Sequence, residues 1–390
     1  MPQSVKAFIT PSVVKWARSK SGYSISDIAR KLQTKPEKIE SWEEGSGQPT
    51  INQIRRFGRI LKRPLAFFYL PEPPVDFDAI KDFRRVPGQE LEQESPELLY
   101  AIRYAHERRS ITIELLEQFG EEITTELESI NINDDPEKIA FQLRLNLGIS
   151  YEDKIRLSSF YEALNLWKDK IESKGVLVFQ FGGVNRSEAR GFSLMDLPLP
   201  VISVNRSEWP QARIFSILHE YIHLMLRQGG LCDFIEHNRA PEEQRVEIFC
   251  NRVAGAVLIP KNELLNEPEI RQHIPGEEID EYDVKRLCRR YFSSREVILR
   301  RLLIFGLVTQ QFYERKRREY SAEFDRERSN LSGFAPPYRL ALSNNGKYYT
   351  KIVLRSYYEH QITASTLSEY LGVRLKHIPN IESALGSSVI

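Results

Sequence analysis

Cysteine is nearly absent from this sequence: Cys232, Cys250 and Cys288 are the three in 390 residues. An odd count without paired spacing excludes a disulfide framework and points to a reducing compartment. No apolar run approaches the roughly 20 residues that span a bilayer. The N-terminal segment also lacks the charged start, apolar core and small-residue cleavage site of a signal peptide. The expectation is a cytoplasmic chain with no membrane partner. Net charge is low as well, +1 overall, so the molecule as a whole is neither a basic polyanion binder nor an acidic protein. Internal repeats and low-complexity tracts are missing too.

The content is uneven. An apolar fraction of 41% over 390 residues suffices for two or three packed domains. Residues 1–70 hold 13 Lys and Arg against 5 Asp and Glu, a local net of +8, which leaves the remainder slightly acidic. Such a basic footprint is expected of a nucleic-acid-binding module. The same segment reads as five short helices. Val13, Val14 and Ala17 recur at helical spacing after Pro11. Ser24 caps a second helix, Pro36 opens a third that runs to Gly45, Pro49-Thr50 starts a fourth, and Pro64 to Tyr69 forms a fifth. Pro71, Pro73 and Pro74 then mark a boundary.

Further along, 94–129 and 135–172 read as helices. Residues 175–181, Gly191–Leu194 and Val201–Val204 read as strands, and helices are expected near 208–227, 241–257 and over 281–330. The last module, 336–385, contains a strand-like Tyr348–Leu354 and two short helices. Ile362–Ser368 beside Gly372-Val373 suggests a degenerate second helix-turn-helix, with a structural or substrate-docking role as the equal alternative. The basic run Arg315–Arg318 reads as a solvated helix face.

One segment carries chemistry. His219-Glu220-Tyr221-Ile222-His223 places two imidazoles four residues apart, on one face of a helix. Two such nitrogens can hold one metal ion, and the Glu after the first His can act as a general base. The apolar flanks, Phe215–Leu218 and Leu224–Leu226, put this helix in a core, where uncompensated His and Glu side chains are costly. A catalytic zinc takes three protein ligands and leaves a position open. Glu247, on the largely apolar helix through Leu258, is the candidate third ligand. Small residues Ala254, Gly255 and Ala256 would allow that helix to pack closely on the first. His237, Asp233, Cys232 and Cys250 compete for the role. Tyr221, His237, Arg190 and Arg227 are candidates to stabilise an oxyanion. An exposed edge at Arg190–Leu194 could hold an extended peptide by strand addition.

These residues resemble the ImmA/IrrE-type metallopeptidases. The resemblance is carried by His219-Glu220-Tyr221-Ile222-His223, Glu247-x-x-Cys250-Asn251, Leu258-Ile259-Pro260, Arg190–Ser193 and Pro200–Asn205. It covers about 175–260 well and extends loosely to about 310, with Cys250 where alanine is common. The resemblance implies that His219, His223 and Glu247 bind Zn2+ and that Glu220 is catalytic. It further implies a gluzincin-like zinc metallo-endopeptidase whose protein substrate is a regulator, often a transcriptional repressor.

Residues 10–70 resemble the Cro/repressor (XRE) helix-turn-helix class through Ser26–Leu32, Ile39–Gly45 and Pro49-Thr50. The resemblance implies double-stranded DNA as a partner. Thr34, Lys35, Glu37, Lys38 and Ser41 would face the major groove, Arg55, Arg56 and Arg59 the phosphates, and a homodimer would read a palindrome. The helix departs from a DNA-reading surface in carrying Glu37, Glu40, Glu43 and Glu44, which suits partner docking instead.

The expected fold is α+β and mostly helical. Residues 1–74 form a five-helix helix-turn-helix domain, 75–172 a helical connection, and 173–330 a zincin-like peptidase domain with a small mixed sheet. Residues 331–390 form a small C-terminal α/β module. Two functions are consistent with this sequence. One is a zinc peptidase coupled to a DNA-binding module. The other is a transcriptional regulator or antitoxin-like protein with a structural or sensory zinc.

Overall fold

The computed structural model describes residues 5–74, 94–149, 157–227, 231–232, 241–329 and 335–386. The chain forms two compact units, the first holding the described residues through Tyr104 and the second those from Ala105 onward. The fold class is α+β and mostly helical.

In the first unit, α1 (Pro11–Ser19), α2 (Ile25–Leu32), α3 (Pro36–Glu44) and α4 (Ile51–Leu61) precede a 3-10 turn, Leu65–Tyr69. The helix α5 (Pro96–Gln118) begins in this unit. Sequence-local caps set the boundaries. Ser24 accepts from the Asp27 amide, and Thr50 and Gln53 form a reciprocal capping box, satisfying donors that a helix start leaves open. One core collects Val14, Ala17, Ile28, Leu32, Ile39, Trp42, Ile54, Phe57 and Phe68. Glu43 turns inward to Arg18, at 2.6 and 3.0 Å, so this carboxylate serves an ion pair within the unit.

The second unit contains α6 (Pro136–Asn146), α7 (Phe160–Glu172), β1 (Leu177–Phe181), β2 (Gly191–Leu194), β3 (Val201–Asn205) and α8 (Pro210–Met225). These are followed by β4 (Leu231–Cys232), α9 (Pro241–Leu258), α10 (Lys261–Leu265), α11 (Pro268–Arg271), α12 (Glu281–Tyr291), α13 (Arg295–Ile304) and α14 (Gln310–Ser329). The chain ends in α15 (Pro337–Asn345), α16 (Lys347–Tyr358), α17 (Ala364–Leu371) and α18 (Ile378–Leu385). The sheet order is β1-β3-β2-β4. β1 runs parallel to β3, and β2 is antiparallel to both β3 and β4. Every residue of β1, β2 and β3 is buried, because the sheet lies inside helical layers.

Helix α8 runs through the centre of this unit and is buried continuously from Arg213 to Met225. It packs on α7, α9, β2 and β3. Two buried guanidiniums finish α9. Arg144 donates to the Val257 carbonyl at 3.0 Å and Arg301 to the Ile259 carbonyl at 3.0 Å. Cations at a helix C-terminus satisfy open carbonyls and oppose the dipole. Glu263 and Glu137 supply the countercharges, at 3.2 and 2.7 Å.

Three sequence expectations need correction. Helix α5 stops at Gln118 rather than continuing to 129: Gly120 adopts φ +68, a left-handed stop. The chain then runs extended, with Glu126 and Ile130 donating to the Lys174 and Met225 carbonyls. Tyr348–Leu354 lies within the helix α16, not a strand. Its buried residues Tyr349, Thr350, Ile352, Val353, Leu354 and Ser356 contain the i, i+3, i+4, i+7 set of a helix, which here outweighs the β-branched and aromatic content. Finally, Gly191 and Phe192 are not an open sheet edge, since β3 pairs them on one side and β4 on the other.

Candidate metal centre

Helical spacing brings the two histidines of α8 together: His219 Nε2 and His223 Nε2 lie 3.0 Å apart. Glu247, near the middle of α9, reaches across to both. Its Oε2 is 3.3 Å from His219 Nε2 and its Oε1 is 3.3 Å from His223 Nε2. Among the described residues, these three form a group whose ligand atoms all fall within 4.8 Å of one another. All three are fully buried.

The geometry suits a metal ion. A tetrahedral ion with bonds of about 2.0–2.1 Å has ligand–ligand edges of about 3.3 Å, the size of this triangle. The donor set of two imidazoles and a carboxylate is also one that divalent first-row metals accept. Burial by itself would raise the Glu247 carboxyl, but the two imidazoles, His219 foremost, hold it well below the usual carboxylate range. A carboxylate in that state is available as a ligand.

The competing ligands sort as follows. Cys250 lies one turn beyond Glu247 and is buried, and burial pushes its thiol up, away from the thiolate that binds metal. His237 and Asp233 lie outside the described residues, as does the side chain of Cys232. Cys288 is an inert thiol, its pKa pushed by burial to about 12.

Glu220 follows His219 and is also fully buried. Its carboxylate lies against β2. A Cβ added at Gly191 would sit 3.0 Å from Glu220 Oε1 and 3.3 Å from its Cγ. Gly191 therefore leaves the room that this carboxylate occupies. Sequence reading placed Gly191 in the family motif without assigning it this role, because which helix residue faces a strand glycine is a matter of tertiary packing.

The oxyanion candidates point in different directions. Burial, with Glu128 and Glu126 nearby, pushes the Tyr221 phenol up to about 12. Arg227 donates to the Leu127 carbonyl at 2.9 Å. Both are thus turned toward the 121–130 segment. Arg190 lines a cavity of about 380 Å³ beside α8, which Phe215 and Asn251 also line. Phe215 is one turn before His219, with ring centroids 6.3 Å apart, and Asn251 is one turn after Glu247.

In the first unit, Lys35, Glu37 and Lys38 are exposed, while Thr34 and Ser41 are half-buried. The Ser41 hydroxyl donates to the Lys38 carbonyl at 2.8 Å. The basic run on α14 is engaged: Arg315 meets Glu278, Lys316 meets Glu319, and Arg317 meets Glu296, at 2.6, 3.0 and 3.2 Å.

Residues 171–303 match the family model Peptidase_M78, described as an IrrE N-terminal-like domain. The matched span contains β1 to β4, α8, Glu247 and all but the last residue of α13. It supports the ImmA/IrrE resemblance and points to a metallopeptidase domain in this part of the chain. No curated protein and no solved structure matches the chain.

Proposed function

We propose that this chain is a zinc-dependent endopeptidase that cleaves a regulatory partner protein, with an N-terminal module that binds double-stranded DNA. The observation that carries the reading is the buried triangle of His219, His223 and Glu247 with Glu220 beside it, inside a span that matches a metallopeptidase family model. Two imidazoles and one carboxylate leave one tetrahedral position unfilled by protein, as catalytic rather than structural zinc sites do.

In this reading His219, His223 and Glu247 hold the ion. Zinc bound there supplies Lewis acidity toward a peptide carbonyl and makes water more acidic. Glu220 accepts a proton from the attacking water and delivers it to the leaving amine nitrogen. Its packing against Gly191 keeps the carboxylate in one place, which matters because proton transfer needs hydrogen-bond distance. Arg190, the described oxyanion candidate that lines the adjoining cavity, is the cation placed to meet negative charge on the substrate.

The DNA role rests on the +8 charge of residues 1–70 and on the exposure of Lys35 and Lys38 at the start of α3. Glu43 is withdrawn into its pair with Arg18, which removes one of the carboxylates that would repel phosphate.

Full burial of all four site residues favours a second reading, a transcriptional regulator in which the metal is structural. The two separate on Glu220→Gln. A peptidase so altered keeps its metal and fold but no longer cuts its partner. A structural site leaves that variant unchanged, while His219→Ala costs folding and DNA binding together.

A further inference from the structure

The cavity beside α8 has a composition that the metal centre does not account for. Both helices that build the centre contribute to its wall, with the residue that precedes β2. Phe215 precedes His219 by one turn, Asn251 follows Glu247 by one turn, and Arg190 adjoins the Gly191 that packs on Glu220. The wall is also strongly cationic. Among the described residues, Arg186, Arg190, Lys285, Arg289, Arg300 and Arg317 line it with Arg295, against Glu208 and Glu296 as anions. Arg295 is neutralised by Glu281 and Glu323 at 3.0 and 2.8 Å.

The cations are also oriented. Arg186 lies over the Phe324 ring, 4.2 Å from its centroid, and donates to Ser321 at 3.1 Å. A guanidinium stacked on a ring has its planar fork fixed, the form suited to carboxylates. Glu296 shows how the wall treats an acid. Burial by itself would raise its carboxyl, but Arg190, Arg300 and Arg317 together hold it below the usual range. A volume of about 380 Å³ is that of a pocket for side chains rather than for a folded domain.

We propose that this cavity is the substrate subsite that selects an acidic peptide segment, taking Asp or Glu side chains close to the bond being cut. The proposal rests on the peptidase reading, since it makes the cavity the continuation of the active centre. Carboxylates enter between Arg186, Arg289 and Arg300, while Phe215 and Trp209 receive the apolar part of the peptide.

The test uses the full-length Glu220→Gln protein and short fluorescent peptides of one sequence carrying Asp, Asn or Lys at the same positions. The Asp peptide should bind at least about tenfold tighter than the Asn peptide at low salt. That gap should close by about 0.5 M salt. The double change Lys285→Glu, Arg289→Glu, at two exposed positions of α12, should remove most of the discrimination between the Asp and Asn peptides. Equal binding of Asp and Asn peptides by the unaltered wall, or preference for Lys, overturns the proposal without any variant. Retained discrimination in the double variant overturns it as well. The two readings fail separately. Wild-type protein that binds acidic peptides selectively but cuts none keeps the subsite and loses the peptidase. Cleavage of all three peptides at one rate does the reverse.

Discussion

Replacing Gly191 with Ala tests how closely the strand positions the proposed base. The new Cβ would lie 3.0 Å from Glu220 Oε1, 3.3 Å from its Cγ and 3.3 Å from the Ser203 carbonyl oxygen. Ordinary contact begins near 3.4 Å, so the carboxylate must retreat by about 0.4 Å, while the Ser203 oxygen is held in the sheet by β2–β3 pairing. A displacement of about 1 Å at a reacting group can cost about 100-fold, so about 0.4 Å should cost roughly 5–10-fold in kcat. Overpacking should lower stability by about 1 kcal/mol. No atom of His219, His223 or Glu247 is among the three nearest the added methyl, so metal content should be unchanged. The assay is steady-state cleavage of a peptide or partner, with metal analysis and thermal unfolding of the same preparation. Wild-type kcat in Gly191→Ala would refute the positioning argument, and loss of metal would show that the glycine supports the centre as a whole.

The other predictions concern separate parts of the molecule. Single alanine changes at His219, His223 and Glu247 should each lower zinc content and reduce the melting temperature, as should a chelator acting on wild type; full zinc retention in Glu247→Ala would remove it from the ligand set. Glu172 is buried, and burial raises its carboxyl to about 7 from an ordinary 4.5. The folded state therefore holds this proton after the unfolded chain has lost it, so stability should fall as pH rises from about 5 to 7. Glu172→Gln should flatten that part of a melting-temperature profile, and an unchanged slope would reject the assignment. Replacing Lys35 or Lys38 by Ala should weaken DNA binding and reduce the salt slope by about one; affinity insensitive to salt would move the first unit to partner docking.

What the sequence could reveal depended on whether the signal was local. His219 and His223 are four residues apart, and helix geometry alone brings their nitrogens to one point. The cap at Ser24 was legible for the same reason. Glu247 could be nominated because a carboxylate on an apolar helix is costly, but its reach to both imidazoles is tertiary. Gly191 against Glu220 brings a strand and a helix together, the cationic wall brings Arg186 and Arg190 before β2 to residues of α12, α13 and α14, and no spacing rule anticipates either. The strand expected at 348–354 failed because Tyr349, Ile352 and Val353 satisfy strand composition while their burial follows helix period. The edge expected at Arg190–Leu194 is covered by β4 at Gly191 and Phe192, because strand order is not encoded in the strand itself.

The central claim is that Glu220 moves protons at a metal centre it does not help to hold. Its most direct test is cleavage of a co-expressed regulatory partner by wild type and by Glu220→Gln, with zinc measured in both proteins. The account predicts equal zinc in the two, a cut partner with wild type, and an intact partner with Glu220→Gln. Equal cutting by both, or an uncut partner with zinc-loaded wild type, would contradict it.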